Sequence, residues 1–160
     1  DIPFYVRSGK CLPKQATEIS IEFRRAPHLL FGGTSADRLE ANVLALRIQP
    51  DEGISLKIVA KRPAPGLRVR PVTLDFGYES AFGAHTPSAY ETLLLECIRG
   101  DATLFARGEW VEQAWEHLMP IIDTWQSVEP GNFPNYEAGS WGPQEADVLL
   151  ARDGRVWRRL

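Results

Sequence analysis

Several residue types on which site chemistry often depends are scarce in this chain. Its 160 residues include two cysteines, three histidines and one methionine. Cys11 and Cys97 have no zinc-ligand spacing and are too few for a disulfide framework. His28, His85 and His117 also lack a metal-ligand spacing with cysteine or acidic residues. The sequence therefore predicts no metal site, and we expect a reducing, cytoplasmic setting.

Long apolar runs and a large excess of one charge are missing too. The apolar clusters, such as the one at residues 93–95, are far too short for a membrane helix. The net charge is -3, from 18 Lys and Arg against 21 Asp and Glu. This balance gives no general attraction to nucleic acid or to an anionic membrane. We therefore expect neither as a partner.

The usual motifs of catalysis and coenzyme binding are not visible in the sequence. The pair Gly32 and Gly33 stands without the further glycines that a dinucleotide-binding turn needs around a pyrophosphate. No serine lies in a nucleophile elbow, and the carboxylates show no acid/base pattern. His117 falls on an amphipathic segment, where a surface or packing role is expected. The residues alone predict a globular domain with no catalytic residue of its own.

The first half of the chain has the alternating pattern of strands. Apolar and polar residues alternate over residues 18–23, 42–49 and 54–60, and a further strand is predicted over residues 72–76. Residues 2–7 are apolar and aromatic and also predict a strand. Because the chain opens inside this segment, we expect it to be part of a longer polypeptide.

A hairpin is predicted around residues 50–52. If these three residues form the loop, Leu46 lies opposite Leu56 and the apolar faces of the two strands coincide. Gly53 then occupies a bulge position that favours a positive φ.

The longer alternative for this hairpin fits the pattern less well. A four-residue loop would place Gln49 opposite Ile54 and mismatch every pair. The shorter loop places Arg47 opposite Ser55, with Lys57 diagonal to it on the same face. We therefore favour the three-residue loop.

The second half of the chain has helical patterns. Ser88 is placed to cap a helix that ends near Gly100. Residues 109–126 form an amphipathic segment that Pro120 should kink or split. A short third helix is predicted from Pro143. Strands followed by helices predict an α+β fold with a largely antiparallel sheet and helices packed on one side.

Four motifs follow one another along the chain. They are Arg-x-Gly-Lys at the end of residues 2–10, Arg-x-Gln-Pro-x-Glu in residues 46–53, Pro-x-Ala-Tyr-Glu in residues 87–94, and Tyr-x-x-Gly-Ser-x-Gly-Pro at residues 136–143. In this order they resemble the C-terminal domain family of glucose-6-phosphate dehydrogenase. The resemblance covers nearly the whole chain.

The resemblance implies that residues 1–160 are the C-terminal part of a substrate-binding and dimerisation domain. The complete enzyme would oxidise glucose 6-phosphate to 6-phosphogluconolactone with NADP, in the oxidative pentose phosphate pathway. It would form a homodimer or a dimer of dimers through the sheet. In the family, the base and the NADP-binding Rossmann domain lie upstream, so we expect these residues alone to be inactive. The alternative is a stand-alone, non-catalytic sugar-phosphate-binding or regulatory module; retention of Lys10 favours the enzyme.

The resemblance also implies substrate-binding residues. Lys10 matches a lysine that contacts the substrate, and its compact ammonium suits a phosphate dianion. The family's second basic position aligns with Gln15, so either Gln15 or the neighbouring Lys14 makes the second phosphate contact. Gln49 matches a glutamine that binds substrate in some members.

Some family members carry a second, structural NADP beside the sheet. The matching positions retained in this chain are Arg7, Arg47, Lys57 and Asp75. The changed positions are Ala16, Ser20 and Trp141, which replace basic residues, and Ser55, which replaces a tyrosine. Losing three cationic partners, at about 1.5–3 kcal/mol per charged hydrogen bond, predicts that a structural NADP is not tightly bound. We expect the remaining sheet residues to form ion pairs instead.

Overall fold

The computed structural model of the chain describes residues 2–25, 40–66, 68–83, 87–129 and 131–160. Four strands come first along the described chain, and four helices follow. The strands are β1 (Thr17–Glu22), β2 (Val43–Gln49), β3 (Gly53–Lys61) and β4 (Val69–Gly77). The helices are α1 (Tyr78–Phe82), α2 (Ala89–Arg99), α3 (Gly108–Ser127) and α4 (Gln144–Ala151).

The strands form one antiparallel sheet in the order β1-β2-β3-β4. The strands predicted over residues 18–23, 42–49, 54–60 and 72–76 are confirmed with slightly different ends. Pro71 lies within β4, which an edge strand tolerates because its outer side needs no backbone donor. The sheet and the helices confirm the α+β class, but the predicted packing of helices on one side of the sheet is not seen, because α1 alone among the described helices packs closely against it.

The hairpin between β2 and β3 has a different register from the predicted one. The prediction of a three-residue loop that closes the ladder is wrong: Arg47 lies opposite Gly53 rather than Ser55, so residues 48–52 connect the last pair of the two strands. The shift is an even number of residues, so each side chain keeps its predicted face. Arg47 and Lys57 therefore still share one face of the sheet.

Gly53 is closely packed in this register. The prediction of a bulge with positive φ at Gly53 is wrong, because this residue is paired within the ladder and has no positive φ. A Cβ atom on Gly53 would lie 2.3 Å from Nη2 of Arg47 and 2.4 Å from the carbonyl oxygen of Phe76. Only a residue without a side chain fits beneath Arg47 at this position.

The strand predicted at residues 2–7 is wrong. Residues 2–16 contain neither helix nor strand, because none of the four described strands pairs with this segment. Its side chains instead contact the C-terminal residues, for example through a hydrogen bond from Tyr5 to Asp153.

The helix ends follow the predicted signals closely. Oγ of Ser88 accepts a hydrogen bond from the Glu91 amide at 3.2 Å, and Gly100 ends α2 with a left-handed φ of 72°.

The two prolines in the helical half differ from their predictions. The predicted split at Pro120 does not occur, because α3 continues through this residue. Pro143 precedes α4 as its cap residue rather than as its first helical residue.

The chain leaves an unusually large surface exposed. Among the described elements α1 packs against β4, and contacts of the other helices with the sheet are marginal. Helices α2 and α3 bury no residue, and α3 exposes Trp110, Trp115 and Trp125. The accessible surface is 14137 Å², whereas a compact monomer of this mass has about 8000 Å². Much apolar surface is therefore exposed on the described helices and sheet.

Candidate functional site

The segment that carries Lys10 is held by residues of the motif at 136–143. The Tyr136 hydroxyl donates a hydrogen bond to the Lys10 carbonyl oxygen at 2.6 Å, across a separation of 126 residues. The Gly139 amide donates to the carbonyl oxygen of the next residue, Cys11, at 2.8 Å. Cys11 has a left-handed φ of 52°, which is uncommon for a residue with a side chain. Two motifs that are distant in sequence therefore meet at Lys10.

Gly9 makes this approach possible. A Cβ atom on Gly9 would lie 3.1 Å from the Tyr136 hydroxyl and 3.3 Å from Cδ2 of Leu12. Gly9 has no positive φ, so the glycine is favoured by the close approach of the tyrosine and not by a special backbone angle. The Arg-x-Gly-Lys motif thus fits against the Tyr-x-x-Gly motif.

The side chain of Lys10 is exposed although its backbone is held, and Lys14 and Gln15 further along the same segment are exposed as well. Within the part of the chain that the structure describes, none of the three side chains makes an ion pair or a side-chain hydrogen bond. Their polar ends therefore face solvent without a partner among the described residues.

Gln49 lies beside the start of β1. It is paired in register with Thr17, the first residue of β1, and its Nε2 donates to Oγ1 of Thr17 at 3.3 Å. Thr17 is two residues after Gln15 along the chain. The contact therefore joins Gln49 to the end of the segment that contains Gln15.

The polar face of the sheet contains the ion pair that we expected. Arg47 donates to both carboxylate oxygens of Asp75, at 2.8 and 3.3 Å, and to the carbonyl oxygen of Phe76 at 3.0 Å. Lys57 lies on this face but pairs with Glu40, and its ammonium lowers the pKa of the Glu40 carboxyl. These cationic groups are thus already engaged within the chain.

Arg7 contacts a different group of residues. Its guanidinium lies 5.1 Å from the ring centre of Trp141 and 4.7 Å from that of Trp157. Both distances are within the range of cation–π contacts. Arg7 is therefore stacked against two indole rings of the C-terminal part of the chain.

Further contacts join the first residues to the last ones. The Tyr5 hydroxyl donates to Asp153, and this hydrogen bond raises the pKa of Tyr5. The Tyr5 ring also meets Trp157 edge to face, with ring centres 6.4 Å apart. Arg158 pairs with Glu18 on β1 at 2.7 Å. The C-terminal residues therefore contact the chain at Tyr5, ahead of the Lys10 segment, and again on β1.

The described residues add no second site of familiar chemistry. They contain no group of His, Cys, Asp and Glu side chains that could hold a metal ion. His117 is exposed on α3, whereas His28, His85 and the glycine pair at residues 32–33 lie outside the described residues. No helix among the described residues is long and apolar enough to cross a membrane.

Comparison with known sequences identifies the family. The chain matches the family described as glucose-6-phosphate dehydrogenase, C-terminal domain, over residues 1–158. It is 48% identical to a glucose-6-phosphate 1-dehydrogenase of Chlamydia pneumoniae, over 99% of this chain and 31% of that protein. It is 47% identical to the enzyme of that name from Aggregatibacter actinomycetemcomitans, over 99% of this chain and 31% of that protein.

Solved structures agree with the sequence comparison. A structure described as glucose-6-phosphate dehydrogenase in complex with its substrate glucose-6-phosphate has a TM-score of 0.75 and 30% identity, over 94% of this chain and 30% of that chain. Glucose-6-phosphate 1-dehydrogenase from Mycobacterium avium has a TM-score of 0.71 and 31% identity, over 95% of this chain and 30% of that one. The chain thus spans about a third of the length of these relatives. It belongs to the glucose-6-phosphate dehydrogenase C-terminal domain family.

Proposed function

We propose that this chain is the substrate-side part of an oxidoreductase that converts glucose 6-phosphate to 6-phosphogluconolactone with NADP. The observation that carries the proposal is the placement of Lys10. Its backbone is held on the carbonyl side by Tyr136, while its ammonium is exposed and has no partner among the described residues. The matching relatives and the structure solved with glucose 6-phosphate support the same reaction. The enzyme would act in the oxidative pentose phosphate pathway of the cytoplasm.

The part assigned to this chain is recognition of the phosphate group. Lys10 supplies a compact positive charge to the phosphate dianion, and Lys14 or Gln15 supplies the second contact. Gln49, which contacts Thr17 at the start of β1, adds a neutral donor and acceptor. Oxidation at C1 also needs a base and a hydride acceptor. We assign both to the remainder of a longer polypeptide, so we expect residues 1–160 alone to be inactive.

The proposal is tested by Lys10→Ala in the intact protein. Loss of one charge-assisted contact, worth about 1.5–3 kcal/mol, should raise KM for glucose 6-phosphate by roughly 10- to 100-fold. Lys61→Ala is the matched control, because Lys61 is an exposed lysine of β3 that the proposal leaves outside the site. KM should not change in this control.

Three results would contradict the proposal. The first is an intact protein that does not oxidise glucose 6-phosphate, and the second is a Lys10→Ala variant with unchanged KM. The third is an intact protein that binds glucose 6-phosphate without oxidising it, which would favour a sugar-phosphate-binding or regulatory module.

A structural NADP does not fit the polar sheet face well, and we propose that none is tightly bound there. Arg47 is engaged by Asp75, and Lys57 is engaged by Glu40. Arg7 is stacked against two indole rings. A bound dinucleotide would have to displace these contacts before its phosphates gained any partner, which reduces the net free energy of binding.

We also propose that the intact protein is a homodimer or a dimer of dimers formed through the sheet. The register places Ile19, Ile21 and Leu74 on its apolar face, and their exposed fractions are 53%, 43% and 57%. A contiguous apolar patch of this kind typically marks an interface. Because oligomers are commonly symmetric, a second copy of the chain is the occupant that we expect.

A further inference from the structure

We propose that Tyr136 is a positioning residue for substrate binding. It would hold the backbone of Lys10 so that the Lys10 ammonium is directed at the substrate phosphate, without touching the substrate itself. The inference rests on the proposed function of Lys10.

The first support is the contact between the two residues. The Tyr136 hydroxyl lies 2.6 Å from the Lys10 carbonyl oxygen, a normal distance for an O–H···O hydrogen bond. Lys10 belongs to no helix or strand, so no regular backbone ladder holds it. The direction of a side chain follows from its backbone, and Tyr136 therefore acts on the Lys10 ammonium through the main chain.

The second support is the conformation of the next residue. Cys11 has a φ of 52°, a region that non-glycine residues occupy when their surroundings hold them there. The Gly139 amide supplies part of that hold through the Cys11 carbonyl. The motif at residues 136–143 thus donates hydrogen bonds to the carbonyl oxygens of two successive residues, Lys10 and Cys11. Both bonds stabilise the same turn. Loss of either bond should allow the turn to relax.

Tyr136→Phe tests the proposal in the intact protein. The variant keeps the aromatic ring and removes the hydroxyl, which binds the Lys10 carbonyl and is the Tyr136 atom that approaches Gly9. The Lys10 ammonium should then be correctly placed for a smaller fraction of the time. The apparent affinity for glucose 6-phosphate falls in proportion to that fraction. Loss of one hydrogen bond should raise KM for glucose 6-phosphate about threefold to tenfold. We expect kcat to change by less than about twofold, because chemistry after binding uses other groups.

Tyr5→Phe is the matched control. Like Tyr136→Phe, it removes one tyrosine hydroxyl that joins the first and last parts of the chain. The Tyr5 hydroxyl, however, binds the Asp153 side chain and not the Lys10 segment. We expect its KM to equal that of the unsubstituted protein. Thermal unfolding of both variants shows whether they lose comparable stability.

A coupling experiment separates positioning from a general structural role. In a Lys10→Ala background, Tyr136→Phe should have no further effect on kcat/KM, because the group that it positions has been removed. Unchanged KM in Tyr136→Phe would overturn the inference. Equal rises of KM in Tyr136→Phe and Tyr5→Phe, following the loss of stability, would overturn it as well. If the unsubstituted protein does not oxidise glucose 6-phosphate, the proposed function itself fails, and this inference fails with it.

Discussion

Gly53→Ala should disrupt the sheet although it adds a single methyl group. The new Cβ atom would lie 2.3 Å from Nη2 of Arg47 and 2.4 Å from the carbonyl oxygen of Phe76. The arginine is the end of a flexible side chain and can move away. The carbonyl oxygen belongs to β4, whose pairing with β3 would have to open by roughly 1 Å to restore ordinary contact.

The magnitude follows from these two movements. Overpacking of this kind costs about 1–3 kcal/mol. Displacing Arg47 also breaks its pair with Asp75, whose side chain is 54% exposed. Solvent screening limits the value of such a pair to about 0–1 kcal/mol. We therefore expect the strand pairing to be destabilised by about 1–4 kcal/mol in total.

Amide hydrogen exchange in the intact protein measures this local free energy. Exchange of the protected amides of β3 should become faster by about fivefold or more, the ratio that about 1 kcal/mol corresponds to. Gly108→Ala is the control, because Gly108 begins α3 with no atom near its missing Cβ. It should be neutral or stabilising by up to about 1 kcal/mol. Equal exchange rates in Gly53→Ala and the unsubstituted protein would refute the close-approach argument.

Two further predictions concern the partners of the sheet. In equilibrium dialysis at physiological salt, the intact protein should retain no more than one tightly bound NADP per chain. A second NADP per chain, bound with a submicromolar dissociation constant, would contradict the absence of a tight structural site. Sedimentation of the intact protein should give twice or four times the monomer mass. Leu74→Glu, on the apolar face, should weaken this assembly, while Thr73→Glu, on the opposite face of β4, should not. A stable monomer at micromolar concentration would show that the exposed apolar face has another occupant.

The sequence by itself determined those features that depend on near neighbours in the chain. Ser88 was recognisable as a cap because the amide that it accepts from belongs to Glu91, within the same turn. The strands were recognisable because alternation has a period of two residues and needs no knowledge of the partner strand. The same period kept Arg47 and Lys57 on one face although the predicted register was wrong. The four motifs, in their order along the chain, were sufficient to identify the family.

The tertiary structure decided everything that depends on distant residues. Two registers differing by an even number of residues satisfy the same alternation, so the pattern alone does not separate them, and the observed register packs Gly53 closely against Arg47 and Phe76. The contact between Tyr136 and Lys10 spans 126 residues, so no local pattern could indicate it. Residues 2–7 have the composition of a strand, but a strand also needs a backbone partner, and the described sheet provides none. Composition and periodicity set what each segment can form, whereas the available partners set what it does form.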